Sequence, residues 1–470
     1  MTEQSFRSSY ACVVGGAGPA GMGFLFNAYK TGALASLARS GLLVVDAALA
    51  VGRGRLGDYH ITANSVGDVF LDCLRDPALL PIFAPLEHSA AFRRLRDDPH
   101  GAPMLTQVGE LLAHASTLFM RYVTQHLGVD VALGTRIEKV TAHGDGSFQL
   151  ALRSGSCSWQ VEAGGLVLNL GGRQTREYLH WSLAEQDLHL SADGPIVYSS
   201  DALLSLSPAE LVELFSDRVT PDSHFTVVGG SHSAFSVLDN LACALDCLGL
   251  ERLTLLHRAP IRLFFESVEE ALAAGYQVDE SMDVCPVSGR VNRSGGLRYR
   301  AHQVGTDVLA NGHVSGTRVK VELLRLEDRS PATRERLERC CSEPGVMVQA
   351  IGYQPCLPAM RHANGEPLQV RESKGGLDSD AAGCLRDING QPIPGLYSFG
   401  LGSGLAANPM LGSERSFDSR IYGVWQFHHD ASGRVIEALQ EHLAGHAPQA
   451  PEPSLETPLD GTPFVLSALG

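Results

Sequence analysis

The chain has 470 residues, of which 44% are hydrophobic, and its mean hydropathy is +0.00. A chain of this length and composition can fill the cores of two or three packed domains, so we expect an ordinary soluble globular protein. The net charge of -15 and the pI near 5.6 exclude a broad basic surface, so nucleic acid and anionic membranes are not expected as partners.

The first residues, MTEQSFRSSY, lack the basic region and the long apolar region of a secretory signal. No apolar run approaches the roughly 20 residues of a membrane-spanning helix. The ten cysteines form no CxxC motif, which is typical of reduced thiols. We therefore expect a cytoplasmic location.

A glycine-rich turn follows the first predicted strand, residues 10–14, and precedes a predicted helix at residues 22–31. The turn fits the pattern GxGxxG, in which the first glycine permits a tight bend, the second lets a diphosphate approach the backbone, and the third lets helix and strand pack closely. The anion would lie at the helix N-terminus, where unpaired N–H groups favour it. A glycine turn of another α/β protein is the alternative. The candidate binding residues are Gly16, Gly18, Pro19, Ala20 and Gly21.

A second buried strand, residues 42–45, ends at Asp46, where a carboxylate would meet a ribose hydroxyl. The interval before it is long, which indicates an extended helix or a loop through residues 33–41. The glycine-rich and polar segment 52–65 predicts a loop over a ligand.

The next segments predict core structure. Residues 103–127 keep apolar side chains at helical spacing. Residues 129–170 alternate apolar and polar side chains and end in a buried run, which predicts a β-meander that returns to the first sheet.

Residues 224–258 repeat the order strand, turn, helix, strand. Their turn, GGSHSA, has serine and alanine at the second and third glycine positions of the motif. Two such units predict one flavin site and one nicotinamide site. The candidate residues of the second turn are Gly229, Ser231, His232 and Ser233; His232 is a candidate for phosphate contact or a solvent-exposed side chain.

The ends of the second strands differ in charge between the two units. The first ends at Asp46, which suits an unphosphorylated ribose, whereas the second ends at His257 and Arg258, which suit a 2′-phosphate. We therefore predict FAD in the first unit and NADPH in the second. Solvated surface residues are the alternative for His257 and Arg258.

The remaining chain is less regular. Residues 261–300 show no clear periodicity, and either a substrate-facing loop or a surface excursion explains them. Residues 395–402 form a strand into a glycine turn, and a helix is predicted from residue 419 to about residue 443. The fold class is thus α/β, with two Rossmann-like dinucleotide-binding domains and a β-meander, the NADPH domain being inserted in the FAD domain. The predicted domains are 1–205 and 356–446 for FAD, 206–355 for NAD(P)H, and a proline-rich tail at 447–470.

The order of these elements resembles that of the two-dinucleotide-domain flavoproteins, and within them the flavin-dependent N-hydroxylating monooxygenases, the ornithine and lysine N-hydroxylase group. The first glycine turn matches the FAD turn of that group, and the second falls on its NADPH turn, GxGxSA. Residues 350–353, AIGY, resemble its ATGY strand end, and residues 198–201, YSSD, resemble its HSS-type stretch. The chain lacks the CxxxxC pair and the GD pair of the disulfide reductases, and it lacks the FxGxxxHxxxW signature of Baeyer–Villiger enzymes.

The resemblance adds candidate cofactor residues. Asn64 and Ser65 are candidates for hydrogen bonds to the flavin or the nicotinamide, with a role in satisfying their own loop as the alternative. The loop after the strand at 395–402 is expected beside the isoalloxazine ring. The further candidates are Gly352, Gly400, Gly402, Asn408, Met410 and Leu411.

The resemblance implies a monooxygenase in which NADPH reduces FAD and one oxygen of O2 goes to a nucleophilic substrate atom, an amine above all. The cofactor carries the difficult chemistry, so catalytic side chains are not assigned. No HExxH or comparable spacing indicates a metal. An NAD(P)H-dependent FAD oxidoreductase without oxygen insertion and an FAD-binding protein without turnover are the alternatives. A homo-oligomer is left open.

Overall fold

The computed structural model describes residues 6–220, 223–373, 376–405, 408–420 and 423–445. The predicted tail at 447–470 lies outside them. Within the described ranges, no helix combines the length and the apolar character that crossing a bilayer requires.

Strands and helices alternate along most of the chain. The strands are Ser9–Gly15 (β1), Leu42–Asp46 (β2), Asp130–Leu133 (β3), Arg136–Ala142 (β4), Phe148–Ser154 (β5), Cys157–Leu168 (β6), Gly172–Arg173 (β7), Ile196–Ser199 (β8), Phe225–Val228 (β9), Arg252–His257 (β10), Lys320–Arg325 (β11), Val346–Gln349 (β12), Gln354–Pro355 (β13), Ala359–His362 (β14), Glu372–Ser373 (β15), Gly376–Leu377 (β16), Cys384–Arg386 (β17) and Pro392–Ser398 (β18). The α-helices are Pro19–Lys30 (α1), Ala33–Ser40 (α2), Gly67–Asp72 (α3), Leu80–Phe83 (α4), Ala90–Asp97 (α5), Leu105–Leu127 (α6), Arg176–Ala184 (α7), Ser200–Leu204 (α8), Pro208–Phe215 (α9), His232–Leu245 (α10), Val268–Ala273 (α11), Glu280–Asp283 (α12), Tyr299–Asn311 (α13), Pro331–Ser342 (α14), Val424–Gln426 (α15) and Ser432–Gly445 (α16). Short 3-10 turns lie at Leu56–Asp58, Ala84–His88 and Asp246–Leu248, and a π-helical turn lies at Phe427–Ala431.

The first sheet joins the two predicted FAD segments. Its order is β14-β4-β5-β6-β1-β2-β3, with β18 paired to β6 and β17 paired to β18. β1 lies parallel to both β6 and β2, and Gly15 is in register with Val45. Since parallel strands end at the same edge, the first glycine turn and Asp46 meet there.

The second sheet is wholly parallel in the order β11-β10-β9-β12-β8. All four residues of β9 and of β12 are buried, as expected for strands covered by helices on both faces. β8 belongs to this sheet although it precedes residue 206, where the NAD(P)H domain was predicted to begin. The second glycine turn follows β9 directly, and α10 begins at His232.

Helix α1 is packed closely on both sides, which explains its small residues. A Cβ at Gly21 would lie 1.8 Å from the carbonyl oxygen of Gly16, and one at Gly23 would lie 2.8 Å from the carbonyl oxygen of Phe427. Phe24 and Phe26 of the same helix are fully buried. Gly21 therefore serves the packing of helix on turn, the role that the motif gives to its third glycine.

The C-terminal helix differs from its prediction. It was expected to begin at residue 419, but the first helical residue is Val424, and the π-helical turn separates α15 from α16. A π-turn inserts one extra residue into a helix, and apolar periodicity alone does not reveal it. The predicted helix or loop at residues 33–41 is the short helix α2.

The π-helical turn holds His428 against the start of α1. Its Nε2 donates to the carbonyl oxygen of Pro19 at 3.0 Å, and only 1% of the residue is exposed. Burial, together with the neighbouring His429 and Lys30, lowers the pKa of His428 to about 3. The imidazole is therefore neutral in the folded protein.

The depressed pKa predicts acid sensitivity. Below the ordinary pKa of 6.5 the unfolded chain binds a proton at this residue that the folded chain does not, so stability falls as the pH is lowered through this range. His428→Gln, whose amide can still donate to Pro19, should flatten the dependence by at most about 1.4 kcal/mol per pH unit. Urea unfolding of the wild type and of the variant at several pH values measures how the free energy of unfolding depends on pH. An unchanged slope in the variant would show that His428 does not contribute.

Candidate active site

Two cavities lie between the two dinucleotide units. The first, about 1020 Å³, is lined by the first glycine turn, Asp46 and the loop at 53–65. The second, about 870 Å³, is lined by the second glycine turn, Arg258 and the loop around residue 412. Asn64, Ser65, His232, Ser233 and Tyr353 line both cavities, which places the two predicted nucleotide sites in contact with each other.

The first glycine turn presents bare backbone to the first cavity. Gly16 has φ +91°, and a Cβ there would lie 2.2 Å from the carbonyl oxygen of Asn169. Gly18 has an ordinary extended backbone, and the nearest atom to a Cβ there is the Cα of Gly54 at 3.6 Å. No side chain caps α1. The helix N-terminus thus faces the cavity with unpaired N–H groups, an arrangement that binds a diphosphate.

Asp46 lies at the edge of the same cavity. Its two carboxylate oxygens accept hydrogen bonds from the backbone N–H groups of Ala17 at 2.5 Å and Ala48 at 2.7 Å. Burial raises the pKa of Asp46, and these two hydrogen bonds oppose the shift. A carboxylate has about four acceptor positions, so acceptor capacity is left for ribose hydroxyls.

The second glycine turn is also forced by close contact. Gly229 has φ +144°, and a Cβ there would lie 2.3 Å from the carbonyl oxygen of Ala350 at the end of β12. Ser231 precedes α10 without capping it through its side chain, so the N–H groups at this helix start are open as well. The departure of this turn from GxGxxG therefore does not close it.

His232 has a structural partner. Its Nε2 accepts a hydrogen bond from the backbone N–H of Arg298 at 3.0 Å. Burial, helped by the Arg298 charge, lowers the pKa of His232 to about 4, so the imidazole is neutral near pH 7. A neutral ring that already accepts this bond offers no positive charge to a phosphate, and the suggested phosphate contact stays a prediction without support from the geometry.

Some of the other predicted cofactor-binding residues line a cavity, and some do not. Arg258, Gly352, Asn408 and Leu411 line the second cavity, and Pro19 and Ala20 line the first. His257 lines neither, and its Nδ1 is 3.0 Å from the carbonyl oxygen of Ala259. Gly400, Gly402 and Met410 also line neither cavity.

The two glycines among these have packing roles. A Cβ at Gly400 would lie 2.9 Å from the Cβ of Ala20, and one at Gly402 would lie 2.8 Å from the carbonyl oxygen of Gln354. Met410 is 83% exposed.

The sequence did not predict a buried hydrogen-bond network that lies beside the first cavity. Asp201, 3% exposed, accepts hydrogen bonds through Oδ1 from the hydroxyls of Tyr59 at 2.7 Å and Tyr353 at 2.6 Å. Its Oδ2 lies 2.7 Å from Nη1 of Arg55. Burial raises the pKa of both tyrosines, so their hydroxyls stay protonated and donate. Asp201 belongs to the motif-like stretch 198–201, and Tyr353 belongs to the stretch 350–353. Neither stretch by itself indicates that these two side chains are in contact.

The segment 261–300 lines the second cavity. The sequence was compatible with either a substrate-facing loop or a surface excursion here. Arg262, Arg293 and Arg298 all reach its wall. The sequence contains no periodic signal for this placement.

Comparisons with known proteins identify one similar sequence and several similar folds. No protein-family model matches the chain. It is 31% identical over 440 residues to the CMP-5'-(3-aminopropyl)phosphonate hydroxylase of Streptomyces rubellomurinus, a match that covers 92% of this chain and 97% of the relative.

Similar solved structures share the fold at low identity. The FAD-bound cadaverine monooxygenase of desferrioxamine biosynthesis from Erwinia amylovora has a TM-score of 0.54 and 14% identity, covering 97% of this chain and 100% of that one. The ornithine N-hydroxylase of Kutzneria sp. 744, with reduced FAD, NADP+ and L-ornithine, has a TM-score of 0.51 and 14% identity, covering 92% and 99%. The reduced ornithine hydroxylase of Pseudomonas aeruginosa has a TM-score of 0.53 and 11% identity, covering 93% and 100%.

Proposed function

Because the chain belongs to the same family as the Streptomyces rubellomurinus hydroxylase, we propose that it is an FAD-dependent, NADPH-using monooxygenase that N-hydroxylates an amine carrying a phosphorus oxyanion. Membership of this family confirms the prediction that the chain is an oxidoreductase of the monooxygenase class. The shared fold confirms the predicted two-dinucleotide-domain flavoprotein class. The cytoplasmic location, the domain boundaries and a homo-oligomeric state stay predictions.

The observation that carries the proposal is the meeting of the two cavities, each with its own open helix N-terminus, at Asn64, Ser65 and Tyr353. FAD fits the first cavity, because Gly18 and Gly54 leave the space in front of α1 free of side chains. Asp46 would hold the adenosine ribose. NADPH fits the second cavity, where Arg258 would hold its 2′-phosphate.

When bound, FAD would accept a hydride from NADPH and then activate O2. The overall reaction consumes the amine, O2, NADPH and a proton, and it yields the hydroxylamine, NADP+ and water. One oxygen atom enters an N–H bond of the amine, and the other leaves as water with the two electrons of NADPH.

The chain supports this reaction by keeping water away from the place where the cavities meet. Val69, Leu401 and Phe427 line both cavities and supply apolar surface there. Exclusion of water protects a reactive oxidant from wasteful decay. The amine must arrive unprotonated, because an ammonium has no free electron pair to accept oxygen.

The substrate class comes from the relative, which is named for a substrate that joins an amine, a phosphonate and CMP. We propose the same class for this chain, an aminoalkyl phosphonate linked to a nucleotide.

The test is turnover of purified, FAD-loaded protein with NADPH, O2 and CMP-5'-(3-aminopropyl)phosphonate. We expect a product heavier by one oxygen atom, formed in near one-to-one ratio with NADPH consumed. NADPH oxidation that yields only hydrogen peroxide, with no oxygenated product from this or any other amine, would favour the oxidoreductase alternative. A bound flavin that NADPH does not reduce without oxygen would favour the protein without turnover.

A further inference from the structure

Four arginines of the segment 261–300, namely Arg262, Arg290, Arg293 and Arg298, line the second cavity. Arg262, Arg293 and Arg298, which we name the arginine lobe, are each partly buried. Among the residues that the structure describes, none of the three forms an ion pair, whereas the neighbouring Arg290 pairs with Glu266 at 2.8 Å. Partly buried guanidinium groups without a counter-ion are costly, so this arrangement suits an anionic ligand.

The lobe is held in place by neutral acceptors, which orient the guanidinium groups without cancelling their charge. Nη1 of Arg262 donates to the carbonyl oxygen of Ser416 at 2.7 Å, and Nη1 of Arg293 donates to that of Gly412 at 3.2 Å. Arg298 donates to the carbonyl oxygen of Arg293 and lies 3.8 Å from the centre of the Phe264 ring. Each guanidinium has five N–H donors, so several per residue remain for a ligand.

The nearby acid is already engaged. Glu414, 1% exposed, accepts hydrogen bonds from the backbone N–H groups of Ser294 at 2.9 Å and Gly295 at 2.7 Å, and from the hydroxyl of Ser413 at 3.3 Å. These bonds shape the turn between Arg293 and Arg298. Burial lowers the pKa of Arg298; the like charges of Arg290 and Arg293 add to this shift, while Tyr299 and Glu266 oppose it.

NADPH does not account for the lobe. In the proposed binding mode its diphosphate would lie at the N-terminus of α10 and its 2′-phosphate at Arg258, both of which belong to the strand, turn, helix, strand unit. The arginine lobe comes from the insertion after β10 and is supported by the loop at 412–416, neither of which is part of that unit. Arg298 lines the first cavity too, so the lobe borders the place where the two cavities meet.

We propose that the arginine lobe binds the phosphonate or phosphate oxygens of the substrate and thereby selects phosphorus-linked amines over free amines. This inference rests on the proposed function. Planar guanidinium groups bind phosphorus oxyanions in pairs of parallel hydrogen bonds, which fixes the orientation of the group as well as its charge. With its anionic end held there, the substrate points its amine toward the junction of the cavities.

The test measures binding apart from turnover. Oxidised, FAD-loaded protein without NADPH is titrated calorimetrically with CMP-5'-(3-aminopropyl)phosphonate, 3-aminopropylphosphonate, CMP and propylamine. We expect the phosphorus-containing probes to bind and propylamine to bind at least about tenfold more weakly. The comparison of 3-aminopropylphosphonate with CMP tells whether the phosphonate or the nucleotide phosphate is bound.

Arg293→Gln and Arg262→Gln should each weaken binding of the phosphorus-containing probes at least about tenfold while the KM for NADPH stays within about twofold. Arg293→Lys keeps the charge without the planar fork, and we expect an intermediate loss. Arg339→Gln is the matched control, since Arg339 is exposed, pairs with Glu343 at 2.9 Å and lines neither cavity. Circular dichroism and the content of bound FAD report whether each variant folds. If Arg293→Gln does not fold, Arg262→Gln provides the test.

Two results would overturn the inference. One is wild-type protein that binds the phosphorus-containing probes no better than propylamine. The other is folded variants that raise the KM for NADPH but leave probe binding unchanged, which would assign the arginines to the cofactor. Arginine-dependent binding without any hydroxylated product would instead reject the proposed function and leave the inference standing.

Discussion

Replacing Gly18 by alanine is expected to weaken FAD binding strongly while the protein stays folded. A methyl group at this position meets no protein atom closer than 3.6 Å, and the backbone of Gly18 is in a conformation open to any residue. In the holoenzyme the same methyl would occupy the space in which the diphosphate approaches the N-terminus of α1. We expect FAD affinity to fall at least about a hundredfold, measured by flavin fluorescence on reconstitution of the apoprotein.

Substitutions at two further glycines distinguish an effect on the approach of the ligand from an effect on packing within the protein. Gly21→Ala places its Cβ 1.8 Å from the carbonyl oxygen of Gly16, so this variant should fail to fold. Gly144→Ala meets nothing within 4 Å and should resemble the wild type in both folding and FAD content. Normal FAD binding by the Gly18 variant would mean that the diphosphate does not lie against this turn.

Replacing Asp201 by alanine is expected to destabilise the protein by about 3 kcal/mol, because it leaves the hydroxyls of Tyr59 and Tyr353 without their acceptor and Arg55 without its partner. We place the value at the low end for a buried pair because the side chain of Arg55 is 56% exposed. Chemical unfolding measures the loss. Because Tyr59 belongs to the loop that carries Asn64 and Ser65, we also expect a larger share of NADPH to be consumed without product.

The control lies in the same loop. Asp58 and Arg53 form a surface pair with both side chains more than 40% exposed, so Asp58→Ala should change the free energy of unfolding by less than about 1 kcal/mol. Tyr59→Phe and Tyr353→Phe should each cost about 1 kcal/mol. An Asp201 variant no less stable than the Asp58 variant would contradict the network.

The sequence predicts the parts of the site that depend on local geometry. Gly16 and Gly229 are required by turns whose backbone packs against a neighbouring strand end, and Asp46 follows from the place where a parallel strand ends. Such features are encoded by a few adjacent residues. The fold class follows from the order of these units along the chain.

The missed parts depend on contacts between distant segments. Tyr59 and Tyr353 come from two loops and Asp201 from helix α8, and only the folded chain brings these three segments together. The arginine lobe lies in a segment without periodicity, so its orientation is set by bonds to Gly412 and Ser416 and not by a helix or strand pattern. The later start of the last helix reflects a π-helical turn that apolar spacing does not reveal.

The insertion at residues 261–300 is hydrogen-bonded to the loop at 412–416. Glu414 of that loop is buried and accepts hydrogen bonds from the backbone N–H groups of Ser294 and Gly295. A hinge rotation that separated the two nucleotide-binding halves would break these bonds to a charged group, which are stronger than bonds between neutral groups. We therefore expect the two halves to keep their relative arrangement while one nicotinamide cofactor replaces another.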